Sequence, residues 1–173
     1  MRGEEASKYS GKRHGAKPGR SGLLLKLELK SNPEALCLVR ATVERAAEVL
    51  HFPDTDTRAI VRSVDEALAN VMRHAYQGKA GLPIEVLCNK IEARRKDGKT
   101  DGLEIVLQDE GTAANPDKFK GRPLQEIRPG GLGLHFIRQS MDVVEFSRKK
   151  GKNQLRMVKY LASAKPDKRP EGV

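Results

Sequence analysis

The stretch DEALANVMRHAY, Asp65 to Tyr76, decides how the rest of the chain is read. At about 100° per residue, Ile60, Val64, Ala67, Leu68, Val71, Met72 and Ala75 make one apolar arc. Glu66, Asn70 and His74 fall four residues apart along one border of that arc, and Ala59 and Ser63 extend the same border upward. The stripe therefore lies beside the buried face, where a second layer can partly cover it. Such a border is either an ordinary polar flank of a helix or the wall of a site. Partners elsewhere in the chain have to decide between the two.

Two segments supply candidates. LEIVLQDEG, Leu103 to Gly111, alternates as a strand does and ends in Asp109, with Gly111 two residues on. A carboxylate there can accept a hydrogen bond from an exocyclic amine, and glycine permits close approach to the backbone. RPGGLGLHFI, Arg128 to Ile137, leads from Gly130, Gly131 and Gly133 directly into an apolar helix. Free N–H groups at a helix start suit phosphate. No Lys-Ser/Thr pair follows, so this is not a P-loop, and an irregular segment precedes it where a dinucleotide fingerprint needs a strand.

The remaining pattern is strand, helix, helix, strand, strand, loop, helix, strand, strand. GLLLKLELK, Gly22 to Lys30, predicts the first strand. SNPEALCLVRATVERAAEVLHF predicts a helix over Pro33 to Leu50 behind a Ser/Asn cap. The second helix is expected to start behind Asp54 or Thr55 and to stop near Gly78. LPIEVLCNKIEA and GLEIVLQDEG predict a hairpin turning at Asp97-Gly98. Thr112 to Gly130 reads as a long binding loop with one short helical turn near Pro116 to Lys118. LGLHFIRQSM predicts a short third helix, and DVVEFSRKK and NQLRMVKYL predict strands joined at Lys150-Gly151-Lys152. This order predicts an α+β fold, a two-layer sandwich whose mixed, mostly antiparallel sheet is covered on one face by helices.

Length and charge bound the remaining possibilities. At 173 residues the chain suits one domain, expected over 21–162, between a flexible basic tail at 1–20 and a polar tail at 163–173. Lys and Arg number 33 against 23 acidic residues. Residues 1–20 and 90–100 concentrate the excess, but no base-stacking aromatic pattern accompanies it, so a tail and a solvated hairpin are expected rather than direct nucleic-acid binding. Cys37 and Cys88 stand far apart without a CxxC or Cys/His cluster, which fits a reducing cytoplasm and no zinc site. No apolar run nears the roughly 18 residues of a membrane span.

Taken together and in order, ExxxN on a helix, DxG after a strand and GxG entering a helix resemble the boxes of the GHKL ATPases, whose nucleotide fold is the Bergerat type. Within that superfamily the chain is similar to the bacterial anti-sigma-factor serine kinases of the sporulation and general-stress switches, from about Leu23 to Leu161. The resemblance implies ATP or ADP binding with Mg²⁺. Asn70 is then the Mg²⁺ ligand, and Glu66 is the general base on an incoming serine hydroxyl. Asp109 holds the adenine amine, and Gly111 clears space beside the base. Arg128, Gly130, Gly131, Leu132, Gly133 and Leu134 form the phosphate-facing lid and helix start. It also implies a homodimer that sequesters a sigma factor and phosphorylates a STAS-type anti-anti-sigma protein.

Two positions depart from the family pattern. DEGTAANP lacks the second glycine that many relatives have after DxG, and Asn153-Gln154 occupy the region where many relatives carry Thr or Ser to support the adenine contact. The basic 90–100 segment is longer than a minimal hairpin needs. Two other expectations compete with the kinase: an ATP- or ADP-sensing module that controls a partner without phosphoryl transfer, and a nucleic-acid binder driven by the basic tail.

Overall fold

The computed structural model describes residues 17–95, 98–113 and 132–162. Five strands form one sheet: β1 (Lys17–Lys30), β2 (Pro83–Arg95), β3 (Gly98–Asp109), β4 (Val143–Lys149) and β5 (Lys152–Tyr160), in the order β1-β2-β3-β5-β4. All four pairings are antiparallel, the limiting case of the expected mostly antiparallel sheet. Helices α1 (Ala35–Val49), α2 (Asp54–Asn70) and α3 (Leu132–Ser140) pack on one face. The two-layer α+β architecture is therefore the one expected. The turn at Asp97 and the segment Pro116 to Lys118 lie outside the described residues.

The core follows from strand alternation. Ile84, Val86 and Cys88 of β2 lie across from Asp109, Leu107 and Ile105 of β3, and Leu155 and Met157 of β5 continue the same face. These side chains meet Val39 and Val43 of α1, Ile60, Val64 and Leu68 of α2, and Ile137 of α3 in one buried cluster. Each fully buried aliphatic side chain contributes about 1.5–3 kcal/mol of transfer free energy. The half-exposed Arg40–Asp65 pair that also joins α1 to α2, at 2.8 Å, adds at most about 1 kcal/mol. Apolar burial therefore docks the helices. No described helix is long and apolar enough to cross a membrane.

The opposite face is mostly polar. Arg156 bridges Glu104 at 2.6 Å and Glu145 at 3.1 Å, and Asn89 donates to Glu104. A small second cluster of Ile91, Ala93, Val158 and Tyr160 sits at one end of this face. Gly102 belongs there because a Cβ would lie 2.9 Å from the Tyr160 ring and 2.8 Å from the Lys159 carbonyl.

Several boundaries differ from expectation. β1 begins at Lys17, inside the expected tail, because the long β2 offers it partners: Lys17 pairs with Arg94 and Pro18 with Ala93. The β2–β3 hairpin thus carries a third strand along much of its basic segment. Ser31 and Asn32 do not cap α1. The Ser31 hydroxyl instead donates to the Lys79 carbonyl and accepts from the Leu82 N–H, and the Asn32 side chain accepts from the Gly81 N–H. The β1–α1 junction is thereby tied to the segment entering β2. Pro53 takes the cap position of α2, with Asp54 and Asp56 in the first turn, where acidic side chains favour the helix dipole. At the β4–β5 turn, Lys150 and Gly151 have φ of 50° and 82°, the positive pair that a tight hairpin needs.

Burial separates the two thiols. Cys88 is enclosed in the core and its thiol is pushed up to about 12, whereas Cys37 is exposed on α1. A thiol reagent at neutral pH should therefore modify one cysteine of the native protein and reach the second only in denaturant. Two fast reactions in the native state would contradict the placement of β2 in the core.

Candidate functional site

The site assembles where α2 ends. Its regular ladder stops at Asn70, and Val71–Ala75 continue as a π-helical turn. The Tyr76 N–H reaches back five residues to the Val71 carbonyl at 2.9 Å. Such turns concentrate at functional positions because they rotate the following side chains out of α register. Glu66 and Asn70, both half-buried, are one α turn apart, while His74 lies within the π turn and is exposed. Asp65, the other acid in the quoted stretch, is engaged by Arg40, and its Oδ1 is buried with no hydrogen-bond partner among the described residues.

Asp109 closes β3 on the helix-covered face and is only 6% exposed. The sheet register sets Asn153 of β5 directly across from it and Arg148 of β4 across from Asn153. The resulting ladder is hydrogen-bonded throughout. Asn153 Nδ2 donates to Asp109 Oδ1 at 2.7 Å, and the Arg148 guanidinium donates to Asn153 Oδ1 and, at 3.1 Å, to the Gly111 carbonyl. Asp109 Oδ1 also accepts the Gly111 N–H at 2.9 Å. Asn153 thus presents an amide that orients the Asp109 carboxylate.

Gly111 needs to lack a side chain even before any ligand is considered. A Cβ there would fall 2.5 Å from the Ala75 carbonyl oxygen and 2.7 Å from its carbon. The Thr112 N–H donates to that same oxygen at 3.0 Å. Tyr76 makes a second tie. Its buried hydroxyl donates to the Pro83 carbonyl and accepts the Glu110 N–H at 3.0 Å, and burial pushes its phenol above the ordinary range. Two shallow cavities flank this turn. One of about 400 Å³ is lined by Ala75, Tyr76, Leu82, Glu110, Gly111 and Thr112, and one of about 450 Å³ by Ile84, Gln108, Asp109 and Lys152 among others.

Neither cavity includes Glu66 or Asn70. Their end of the site is marked by α3. An ideal Cβ on Gly133 would lie 1.8 Å from Glu66 Oε1 and 2.3 Å from Cδ, so the missing side chain is the slot in which the glutamate head sits. Leu134 follows, half-buried. Leu132 opens the helix, and its side chain is not among those described. Arg128, Gly130 and Gly131 lie outside the described residues. Among the described residues, neither the Asn70 amide nor the Glu66 carboxylate is recorded in a hydrogen bond or ion pair. That pair leaves one neutral oxygen donor and one carboxylate available, one turn apart.

Of the expected site residues, the structure brings Glu66 to Gly133 and joins the Asp109–Gly111 turn to the end of α2. Tyr76 and Arg148 were missed. Tyr76 was visible only as the last letter of DEALANVMRHAY. Arg148 required the β4–β5 register, which no local pattern encodes.

The family model for the histidine kinase-like ATPase domain matches residues 29–159. The serine-protein kinase RsbW of Halalkalibacterium halodurans is 30% identical over 159 residues, covering 86% of this chain and 90% of that protein. The serine-protein kinase RsbW of Oceanobacillus iheyensis is 25% identical over 151 residues, covering 83% and 90%. Among solved structures, a chain of the SiaB–SiaC complex from Pseudomonas aeruginosa has a TM-score of 0.45 at 12% identity, covering 80% of this chain and 91% of that one. With that domain match across both ends of the site and a kinase relative aligned over nearly its whole length, the protein belongs to the histidine kinase-like ATPase family, in the group of the RsbW serine-protein kinases.

Proposed function

We propose that this protein is a cytoplasmic, ATP- and Mg²⁺-dependent serine-protein kinase that works as an anti-sigma factor by partner switching. It binds a sigma factor as a homodimer and phosphorylates a serine of a small STAS-type antagonist. The unphosphorylated antagonist captures the kinase and frees the sigma factor, and phosphorylation reverses this. The observation that carries the reading is the seat of Glu66 against Gly133, one α turn from Asn70, in a chain of the RsbW serine-kinase group.

The donor set fits Mg²⁺, which takes oxygen ligands and few of them from protein. Asn70 would supply one such oxygen. Bound there, Mg²⁺ would supply charge neutralisation at the phosphates. Glu66 accepts the proton of the serine hydroxyl as the oxygen attacks the γ-phosphorus and the bond to the β-phosphate oxygen breaks. Asp109, held by Asn153 and the Gly111 N–H, keeps its other oxygen for the adenine amine. The first turn of α3 presents N–H groups to phosphate. Arg128, Gly130 and Gly131 complete the lid in this reading.

Two substitutions separate the roles. Glu66→Ala should bind Mg-ATP as the wild type does and lose about 10²- to 10⁴-fold in transfer of labelled phosphate to a serine-containing antagonist. Retained transfer would remove Glu66 from the role of base, and wild-type binding without transfer would favour the nucleotide-sensing module. Asn153→Leu frees Asp109 to rotate and removes a partly buried hydrogen bond, so ADP affinity should fall about tenfold, while Asn153→Thr stays near wild type. Equal affinities in all three proteins would show that the ladder does not serve the adenine contact.

A further inference from the structure

The two halves of α3 are held by different means. Ile137 is fully buried and Met141, just past the helix, nearly so, which anchors the C-terminal half in the core. Gly133, Leu134 and Phe136 are only half-buried and His135 is exposed, so apolar packing grips the first turn weakly. That turn is the one that receives Glu66.

A second contact reaches it. The guanidinium carbon of Arg62 sits 3.7 Å from the centroid of the Phe136 ring, a cation–π stack between α2 and α3. Arg62 lies one turn before Glu66 on α2, and Phe136 lies about one turn after Gly133 on α3. The contacts 62–136 and 66–133 are therefore consecutive rungs between two antiparallel helix segments. Any slide or roll of α3 that breaks the first rung also moves the slot in which the Glu66 carboxylate sits.

We propose that Arg62 and Phe136 are positioning residues for phosphoryl transfer: their stack fixes the first turn of α3 at the place where Gly133 receives Glu66. The inference rests on the kinase reading for its catalytic consequence and on geometry alone for the clamp. Neither residue touches the reacting atoms. The stack lies at the surface, so its leverage is modest. Its effect is on geometry, to which transfer rates are sensitive.

The test uses the full chain with Arg62→Met and Phe136→Leu, which keep apolar bulk, and Arg62→Lys and Phe136→Tyr, which keep a cation and a ring. Hydrogen exchange of the α3 amides and steady-state phosphorylation are measured on each. In the first pair, α3 exchange should quicken by roughly two- to fivefold and kcat should fall by at least that factor, with KM for ATP nearly unchanged. The double variant should be no worse than the poorer single variant, because both lose one interaction. The conservative pair should recover both readouts. Unchanged exchange overturns the clamp. Faster exchange with unchanged kcat overturns the positioning role. A wild type that transfers no phosphate defeats the kinase reading, and the exchange rates then decide the clamp by themselves.

Discussion

The site depends on one close approach of backbone to backbone. Gly111, just beyond β3, lies against the Ala75 carbonyl at the end of the π turn, with the Thr112 N–H bonded to that oxygen. No side chain fits between them. The joint fuses the end of the helix that carries Glu66 and Asn70 to the end of the strand that carries Asp109. Tyr76 pins the same corner from the other side through Pro83 and Glu110. In the proposed reading, an adenine at Asp109 and a phosphate chain near Asn70 would be spaced by this joint and the Tyr76 ties rather than by a flexible loop.

The third part of the site, α3, joins on different terms. Its C-terminal half is core, and its first turn is positioned by the Glu66–Gly133 seat and the Arg62–Phe136 stack. This division matches what a nucleotide enzyme requires. In the proposed reading the Asp109 end would hold adenine and can be rigid because the base does not react. In the same reading the α3 end would admit ATP, hold it through transfer and release ADP, so an element held by modest surface contacts suits it better than one sealed by burial. The polar ladder Asp109–Asn153–Arg148 braces the Asp109 end. Asn153 reaches the Asp109 carboxylate because the antiparallel register puts it directly across the sheet.

Much of this was legible from residue pattern. The apolar arc of α2, the alternation of β2, β3 and β5, and the order of elements each carry a period that one face of burial imposes. Glu66 and Asn70 were legible as a pair because four residues make one α turn. The π turn that contains His74 was not legible because it has no sequence signature. The start of β1 was misread because Lys17 and Pro18 are ordered by cross-strand partners rather than by their own propensity. Ser31 and Asn32 look like caps from local sequence, yet they serve residues 79–82, far along the chain. The reason for Gly111 was half legible. A ligand explains it as well as a neighbouring carbonyl does, and only the fold shows the carbonyl.

The most direct test of the account is calorimetric titration of Mg-ATP and Mg-ADP into the wild type, Asn70→Ala and Asp109→Asn, each confirmed to be folded. The account predicts Mg²⁺-dependent binding by the wild type, loss of binding with Asp109→Asn, and loss of the Mg²⁺-dependent part with Asn70→Ala. Equal binding by all three, or none by the wild type, would make the border of α2 a plain helix flank and remove the nucleotide site on which the kinase reading stands.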